Sequence, residues 1–255
     1  ASSVMSKKIA GGAYGIVLDV KVGSGAFMKN LDEARQLSRL MVAIGKLSGR
    51  KVVALISDMN QPLGQAVGNA LEVKEAIKTL AGCGPVDFTE HCLVVAAHML
   101  LICEKANNLE EARIMAQKAL SEGRGLAQFR RLVINQGGDP GYVDDPNKFP
   151  LAPVIREVKS PQSGYLHRVD ALEIGETSVR IGAGRSKKTD VIDHRVGILV
   201  HHKVGDYVEQ GETIFTLHTA DEAAYQMAAE SVINACSWQQ QPCEPLPLFY
   251  EVIQQ

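Results

Sequence analysis

Two short apolar runs that flank one amphipathic segment constrain the fold of this chain more than any other feature. The runs are GIVLDV (15–20) and VVALIS (52–57), and each has the length and composition of a strand covered on both faces. Between them, residues 31–47 carry apolar side chains at helical spacing, and Asn30 and Glu33 have the spacing of a capping box. Because short links join strand, helix and strand, we expect two parallel strands in an α/β sheet.

The second half of the sequence has a different pattern. Residues 136–153 are rich in Gly, Pro and Asp, which is typical of a linker. After it, the runs SGYLHRV, SVRIGAG, VGILVHHKV and GETIFTLHT predict short strands, and LFYEVI predicts a last strand after a helix near 221–236. Helices are also expected at about 69–80 and throughout about 87–136. The predicted fold is a central mixed or parallel sheet with flanking helices, followed by a C-terminal β-rich module of the barrel-sandwich kind.

Charge and composition argue against several classes of function. The 255 residues carry a formal net charge of −2, so no basic field points to nucleic acid. No apolar run approaches the ~18 residues of a membrane span. The five cysteines form no C-x-x-C pair, and their odd number is typical of a reduced, cytoplasmic protein. We therefore expect neither a nucleic-acid partner nor a membrane partner.

The opening segment ASSVMSKKIAGG suggests a small binding face. Ser3 and Lys7 are four residues apart, so on a helix their hydroxyl and ammonium groups share one side. Together they could hold a planar polar ligand such as a carbonyl-bearing ring. The alternative is a solvated helix end with a serine cap. The Gly-rich turn GSGAF ends at Phe27, whose ring could lie against such a ligand or belong to the core.

The turn QPLG and the helix after it suggest a cation site. A turn at the end of a strand can direct the carbonyls of Leu63 and Ala66, which are three residues apart, to one side. Glu75 on the following helix can add a negatively charged oxygen. Backbone carbonyls with one carboxylate suit a hard monovalent or divalent cation. The alternative is that Glu75 is a surface residue near Lys78.

Three long strings of the sequence, taken together, resemble one enzyme family. SSVMSKKIAGGAYGIVLDVKVGSGAFMK, ISDMNQPLGQAVGNALEVKEAI and IGAGRSKKTDVIDHRVGILVHHKVGDYV resemble the pyrimidine-nucleoside phosphorylases, and the resemblance runs over essentially all 255 residues. It implies a glycosyltransferase that cleaves uridine, thymidine or deoxyuridine, with inorganic phosphate as co-substrate, to the free base and a pentose 1-phosphate. The QPLG turn and AVGNALEV are more similar to the broad-specificity bacterial enzymes. Strict thymidine specificity is the alternative.

The resemblance also assigns residues to the two candidate sites. It implies that Ser3 and Lys7 contact the pyrimidine base, with Phe27 beside the ring. Beyond these contacts with substrate, it implies no catalytic residue in this chain. It further implies a potassium ion held by two backbone carbonyls and a carboxylate, those of Leu63, Ala66 and Glu75.

Several motifs of the family do not occur in the sequence. The phosphate-binding strings K-x-S-x-G-G and S-G-R-G are absent, and so is the base-contacting Y-A-L-R stretch. We therefore expect the chain to be the C-terminal portion of a longer enzyme and to be inactive by itself. The implied domains are the last helix of a helical domain (1–12), an α/β domain incomplete at its N-terminal side (13–150) and a C-terminal β-rich module packed on it (151–255). A homodimer is implied for the full-length enzyme.

A non-catalytic role is the alternative from another class. The chain would then be a scaffold or interaction module in which the β-rich part acts. That part resembles biotinyl and lipoyl carrier domains through VGDYVEQGETIFTL, but it lacks the Met-Lys-Met element that such carriers present. A carrier function is therefore not expected.

Overall fold

The first half of the molecule is built on the strand–helix–strand unit that the apolar runs predict. In the computed structural model, which describes residues 1–185 and 187–254, β1 (Gly15–Val22) and β2 (Lys51–Asp58) are parallel neighbours. The helix α2 (Leu31–Leu47) connects them. Because short links join α2 to both strands, β1 and β2 lie next to each other in the sheet.

One face of β1 and β2 carries the core of the first half. Asn30 begins α2 by accepting a hydrogen bond from the backbone N–H of Glu33 at 3.0 Å. The apolar side of α2, together with Met5 from α1 (Ser2–Ala10), covers the strands on this face. Alternate residues of β1 point into this layer: Ile16, Leu18, Val20 and Val22.

Helices make up most of the chain from 59 to 135, and a two-residue strand, β3 (Ala66–Val67), precedes them. Four helices follow β3: α3 (Asn69–Leu80), α4 (Val86–Ile102), α5 (Leu109–Ser121) and α6 (Arg124–Asn135). The helix α4 packs on the face of the sheet opposite to α2, because its His91 contacts Asp19, whose side chain alternates with the core residues. The predicted linker contains a short helix, α7 (Gly141–Asp144), and a 3-10 turn (Pro146–Lys148).

The second half contains the β-rich part. Its elements are β4 (Val154–Lys159), β5 (Gly164–Val169), α8 (Ala171–Ser178), β6 (Gly197–Val200), β7 (Tyr207–Val208), β8 (Thr213–Thr219), α9 (Glu222–Asn234), β9 (Cys236–Gln239) and β10 (Phe249–Gln254). One antiparallel sheet has the strand order β3-β6-β8-β4, and another has the order β7-β5-β9. An apolar core that includes Leu166, Ile198 and Phe215 joins the two sheets.

One predicted strand is wrong. The run SVRIGAG coincides with the end of α8 and a π-helical turn (Val179–Ala183), not with a strand. Asp170 caps α8 by accepting hydrogen bonds from the backbone N–H groups of the second and third residues of the helix. Ile174 and Ile181 are both buried and lie seven residues apart, which is two helical turns. A helical period therefore places these side chains in the core.

The last strand returns to the first sheet. β10 pairs antiparallel with β2, so this sheet is mixed and has the order β1-β2-β10. The predicted α/β fold with a mixed sheet and a β-rich C-terminal part is confirmed. Residues of the predicted module 151–255 thus complete the sheet of 13–150, and the domain limits themselves stay a prediction. Among the described residues, no helix is both long and apolar enough to cross a membrane.

Candidate functional site

The first helix directs Ser3 and Lys7 away from the core. Met5, which is 1% exposed, fixes α1 against the β1–β2 layer. Since Ser3 and Lys7 are each two residues from Met5, the helical period turns them to the opposite side, and both are exposed. The structure thus brings a hydroxyl and an ammonium to one outward face. Their contact with a base stays a prediction.

The Gly-rich turn after β1 is held against the end of β2 and presents Phe27 to solvent. The backbone N–H of Ser24 donates to Oδ1 of Asn60 at 3.1 Å, and the Ser24 hydroxyl donates to the Asn60 carbonyl at 3.2 Å. Gly23 has a φ of 134°, and a Cβ there would lie 2.6 Å from the Asn60 backbone nitrogen. Only glycine fits this close approach. Phe27 is 97% exposed, so the alternative that it is a core residue is wrong.

Asp58, at the carboxyl end of β2, supports this turn. Its carboxylate accepts hydrogen bonds from the Asn60 side chain at 2.6 Å and from the Tyr250 hydroxyl at 2.7 Å. Burial, with the hydrogen bond to Asp58, raises the pKa of Tyr250 to about 12, so the phenol stays a donor at neutral pH. No local pattern could indicate this contact, because 192 residues separate Asp58 from Tyr250.

Glu75 folds back onto the QPLG turn. Its Oε1 accepts hydrogen bonds from the backbone N–H groups of Gln65 at 2.8 Å and Ala66 at 2.9 Å. The residue is only 9% exposed, so the alternative that it is a surface residue near Lys78 is wrong. Burial raises the pKa of Glu75, while the two N–H bonds and the charge of Lys203 oppose the rise. A buried carboxylate of this kind favours a nearby cation.

The pairing of β3 turns the Ala66 carbonyl toward Glu75. The Val200 N–H donates to the Gln65 carbonyl at 2.8 Å, and Ala66 lies opposite Leu199. Residues of an antiparallel ladder alternate between bonded and unbonded pairs, so the N–H and C=O of Ala66 point away from β6. The N–H does donate on that side, to Glu75. β3 is an edge strand among the described residues, so no other strand covers this side.

The turn offers oxygens that suit a hard cation. Oε1 of Glu75 is taken by two N–H groups, and Oε2 lies against Gly64 at the inner side of the turn. A carboxylate with backbone carbonyls, here those of Leu63 and Ala66, is a donor set for a hard cation. Within the part of the chain that the structure describes, no group of three or more His, Cys, Asp or Glu could hold a metal ion. This set of hard oxygens suits an ion such as potassium, and the presence of a potassium ion at the turn stays a prediction.

A lysine from the β-rich part reaches the same turn. Nζ of Lys203 donates hydrogen bonds to the carbonyls of Pro62 and Gly64 and lies 3.2 Å from Oδ2 of Asp87. Asp87 also accepts a hydrogen bond from the Gly64 N–H at 3.1 Å. Burial lowers the pKa of Lys203, and the charge of Asp87 opposes the fall. The sequence reasoning missed Lys203, because 139 residues separate it from Gly64.

A second charged cluster lies between α4 and the sheet. Oδ2 of Asp19 is 2.8 Å from Nε2 of His91 and 2.8 Å from Nζ of Lys21, and Ser57 donates to the other oxygen. Burial alone would raise the pKa of Asp19, but hydrogen bonds from these three side chains hold it well below its usual range. His91 also lines a small cavity beside the QPLG turn. The cluster therefore links α4 to β1 and β2 beside the QPLG turn.

Two family profiles match consecutive parts of the chain. Residues 2–126 match the glycosyl transferase family a/b domain, and residues 165–239 match the pyrimidine nucleoside phosphorylase C-terminal domain. The first match covers α1, the Gly-rich turn and the QPLG turn with Glu75. The second covers most of the β-rich part, including Lys203.

Individual relatives agree with these profiles. The chain is 52% identical to the pyrimidine-nucleoside phosphorylase of Geobacillus stearothermophilus over 222 residues, which are 87% of this chain and 51% of that protein. It is 53% identical to the Staphylococcus epidermidis enzyme of the same name over 219 residues, 86% of this chain and 51% of the relative. A Staphylococcus aureus relative is 50% identical over the same shares. The chain belongs to the pyrimidine-nucleoside phosphorylase family, and it spans about half the length of the curated relatives it matches.

Proposed function

We propose that the protein to which this chain belongs cleaves pyrimidine nucleosides with inorganic phosphate. The substrates are uridine, thymidine and deoxyuridine, and the products are the free base and ribose or deoxyribose 1-phosphate. The observation that carries this proposal, beside family membership, is the outward pair of Ser3 and Lys7 on α1. A hydroxyl and an ammonium on one face can donate to the carbonyl oxygens of a pyrimidine ring.

The proposed roles of these side chains follow from where charge develops. Phosphorolysis breaks the bond between C1′ of the sugar and N1 of the base, and a phosphate oxygen forms the new bond to C1′. The electron pair of the broken bond leaves with the base, whose negative charge spreads onto its carbonyl oxygens. Lys7 offsets this charge in the transition state. Ser3 and Phe27 orient the ring by a hydrogen bond and by packing, which keeps C1′ aligned for attack. Solvent supplies the proton that neutralises the released base.

Potassium is part of the proposal. The ion would be held by the carbonyls of Leu63 and Ala66 and by the carboxylate of Glu75, whose buried charge it would balance. When bound, it supplies a fixed positive charge that stabilises the conformation of the turn. Replacement of potassium by a larger organic cation should therefore lower activity, and Glu75→Gln should abolish the response to potassium.

We further propose a cytoplasmic homodimer for the complete protein. All five cysteines are free thiols, which suits a reducing compartment. The homodimer rests on the resemblance to the family.

The experiment that tests the function uses protein expressed from the complete reading frame that contains these residues. It is incubated with uridine, thymidine or deoxyuridine, with and without phosphate, and base and sugar phosphate are separated by chromatography. We expect phosphate-dependent release of base with an equal amount of sugar 1-phosphate. Release from both uridine and thymidine supports broad specificity, and release from thymidine alone supports the narrower alternative. If phosphate does not increase base release, the proposed function is wrong.

The 255-residue chain expressed by itself gives a second comparison. We expect it to be inactive, because the phosphate-binding motifs of the family do not occur in it. Formation of ribose 1-phosphate by this chain would show that phosphate binds to residues not identified here.

A further inference from the structure

Lys203 links the β-rich part to the QPLG turn through all of its donors. The side chain is only 21% exposed. An ammonium has three N–H groups, and here the three acceptors are the carbonyls of Pro62 and Gly64 and the carboxylate of Asp87. The Nζ position is therefore fixed by three oxygens from two separate segments. These hydrogen bonds also restrain the positions of the two carbonyls in the turn.

The segment that carries Lys203 contacts the turn along its whole length. Val200 N–H donates to the Gln65 carbonyl at 2.8 Å, and Val204 N–H donates to Oε1 of Gln61 at 2.8 Å. Lys203 lies between Val200 and Val204 in the sequence, and its ammonium contacts the carbonyls of residues 62 and 64. The 200–204 segment thus contacts the turn from residue 61 to residue 65.

The bonded carbonyls leave a defined pair for the cation. Those of residues 62 and 64 accept from Lys203, and that of residue 65 accepts from Val200. Among the contacts of the described residues, none is made to the carbonyls of Leu63 and Ala66, and the Ala66 N–H donates to Glu75 on the side away from β6. Each peptide unit is planar, so the bonds to the carbonyls at 62 and 64 restrain the two units that flank the one with the Leu63 carbonyl.

The ion pair of Lys203 is with Asp87, and the hydrogen bonds described for the Glu75 carboxylate come from backbone N–H groups. Lys203 makes no ion pair with Glu75 among the described contacts, although its charge partly offsets that of the carboxylate. The rest of the Glu75 charge can be balanced by a further cation.

We propose that Lys203 is a positioning residue of the potassium site: it fixes the QPLG turn so that the Leu63 and Ala66 carbonyls stay directed to the ion. This inference rests on the potassium site of the proposed function. Residues that orient the ligands of a metal ion affect its affinity without touching it. Binding of the ion would thereby depend on a residue of the β-rich part, although that part supplies none of the proposed ligands.

The test measures thermal unfolding of the complete protein against KCl concentration, with ionic strength held constant by N-methylglucamine chloride. A ligand that binds only the folded state raises the melting temperature as its concentration exceeds the dissociation constant. For Lys203→Met we expect the potassium concentration that gives a set rise in melting temperature to increase about 10- to 100-fold. Lys203→Arg keeps a charged donor and should restore most of the response. Lys105→Met, at an exposed site, is the matched control and should behave like the unmodified protein.

The outcomes separate the proposal from the function. If Lys203→Met needs the same potassium concentration as the unmodified protein for the same rise in melting temperature, the positioning role is wrong. If that variant does not fold, Lys203→Gln, which is neutral but keeps one amide donor, decides by the same comparison. A lack of any potassium-specific stabilisation in the unmodified protein would overturn both the site and the role of Lys203. Base release is not the readout, so none of these results depends on whether the protein is a phosphorylase.

Discussion

The outward face of α1 and the QPLG turn differ in how far their side chains are buried and held by contacts within the chain. On α1, Ser3 and Lys7 are exposed, and Phe27 on the neighbouring Gly-rich turn is almost fully exposed. At the QPLG turn, Glu75 is buried and Lys203 reaches across from the β-rich part. The first region presents side chains that a ligand must order, whereas the second is ordered by the chain itself.

This difference shows which substitutions should affect activity and which should affect stability. Exposed side chains contribute little to folding, so their replacement should change kinetic constants and leave the free energy of unfolding almost unchanged. Residues of the buried turn contribute to both, because their hydrogen bonds also join two parts of the fold. The predictions below run from the largest expected effect to the smallest.

Lys7→Ala tests the exposed region. If Lys7 offsets charge on the leaving base, the substitution should lower kcat/KM for uridine by about 100- to 1,000-fold. Steady-state kinetics of the complete protein measures this ratio. Lys8→Ala is the control, since Lys8 is the adjacent exposed lysine on the same helix and is assigned no contact. If Lys7→Ala stays within a factor of about two of the unmodified enzyme, the role of Lys7 is wrong.

Gly64→Ala tests the buried turn. Gly64 has a φ of 69°, and a Cβ there would overlap Oε2 of Glu75. We expect a loss of about 2–3 kcal/mol in the free energy of unfolding, from backbone strain and from displacement of the carboxylate. Urea denaturation measures it.

Gly49→Ala is the matched control for that substitution. Gly49 has a nearly identical φ of 66°, but nothing lies within 4 Å of the added Cβ. It should lose only the backbone contribution, about 1 kcal/mol. Equal losses at the two glycines would show that the turn does not hold the Glu75 carboxylate in place.

Asp19→Asn tests the charged cluster beside the turn. The folded-state pKa of Asp19 is lowered, so its stabilisation is present above the unfolded pKa of about 3.9 and is lost as the pH falls toward the folded value. We expect Asp19→Asn to cost about 1–3 kcal/mol at pH 7 and progressively less below about pH 4. Urea denaturation at several pH values gives the difference. Asp32→Asn, at a highly exposed carboxylate, is the control and should change the free energy of unfolding at pH 7 by less than about 0.5 kcal/mol.

Phe27→Leu gives the smallest expected change in stability. Because Phe27 is 97% exposed, the free energy of unfolding should stay within about 0.5 kcal/mol of the unmodified protein. The KM for uridine should rise, since a leucine packs less well along a planar ring. A clear loss of stability with no change in KM would mean that Phe27 packs in the complete protein and does not serve the substrate.

Local patterns predicted the helices and strands of the first half well. The spacing of apolar residues and the Asn30 cap gave α2 its observed start at Leu31, and both buried strands formed where the apolar runs lie. Such features depend on neighbours in sequence, which is why they are readable without a structure. The prediction of a strand at SVRIGAG was wrong because the apolar residues of this run fit a strand period as well as a helical one. The structure has the helical period, which buries both Ile174 and Ile181.

The contacts that build the buried turn were not predictable in this way. Sequence patterns and the family resemblance pointed to Leu63, Ala66 and Glu75, but not to Lys203, which meets Gly64 across 139 residues. The link between Asp58 and Tyr250 spans 192 residues. Pairings of this kind are set by tertiary packing, and nothing local in the residues themselves marks them.

A crystal structure of the complete protein with uracil, grown with thallium in place of potassium, tests the central claim most directly. It should show uracil against Ser3 and Lys7 on the outward face of α1, and an anomalous peak beside the Leu63 and Ala66 carbonyls and Glu75. Uracil bound at a position remote from α1 would contradict the account of base recognition on which the proposed function depends.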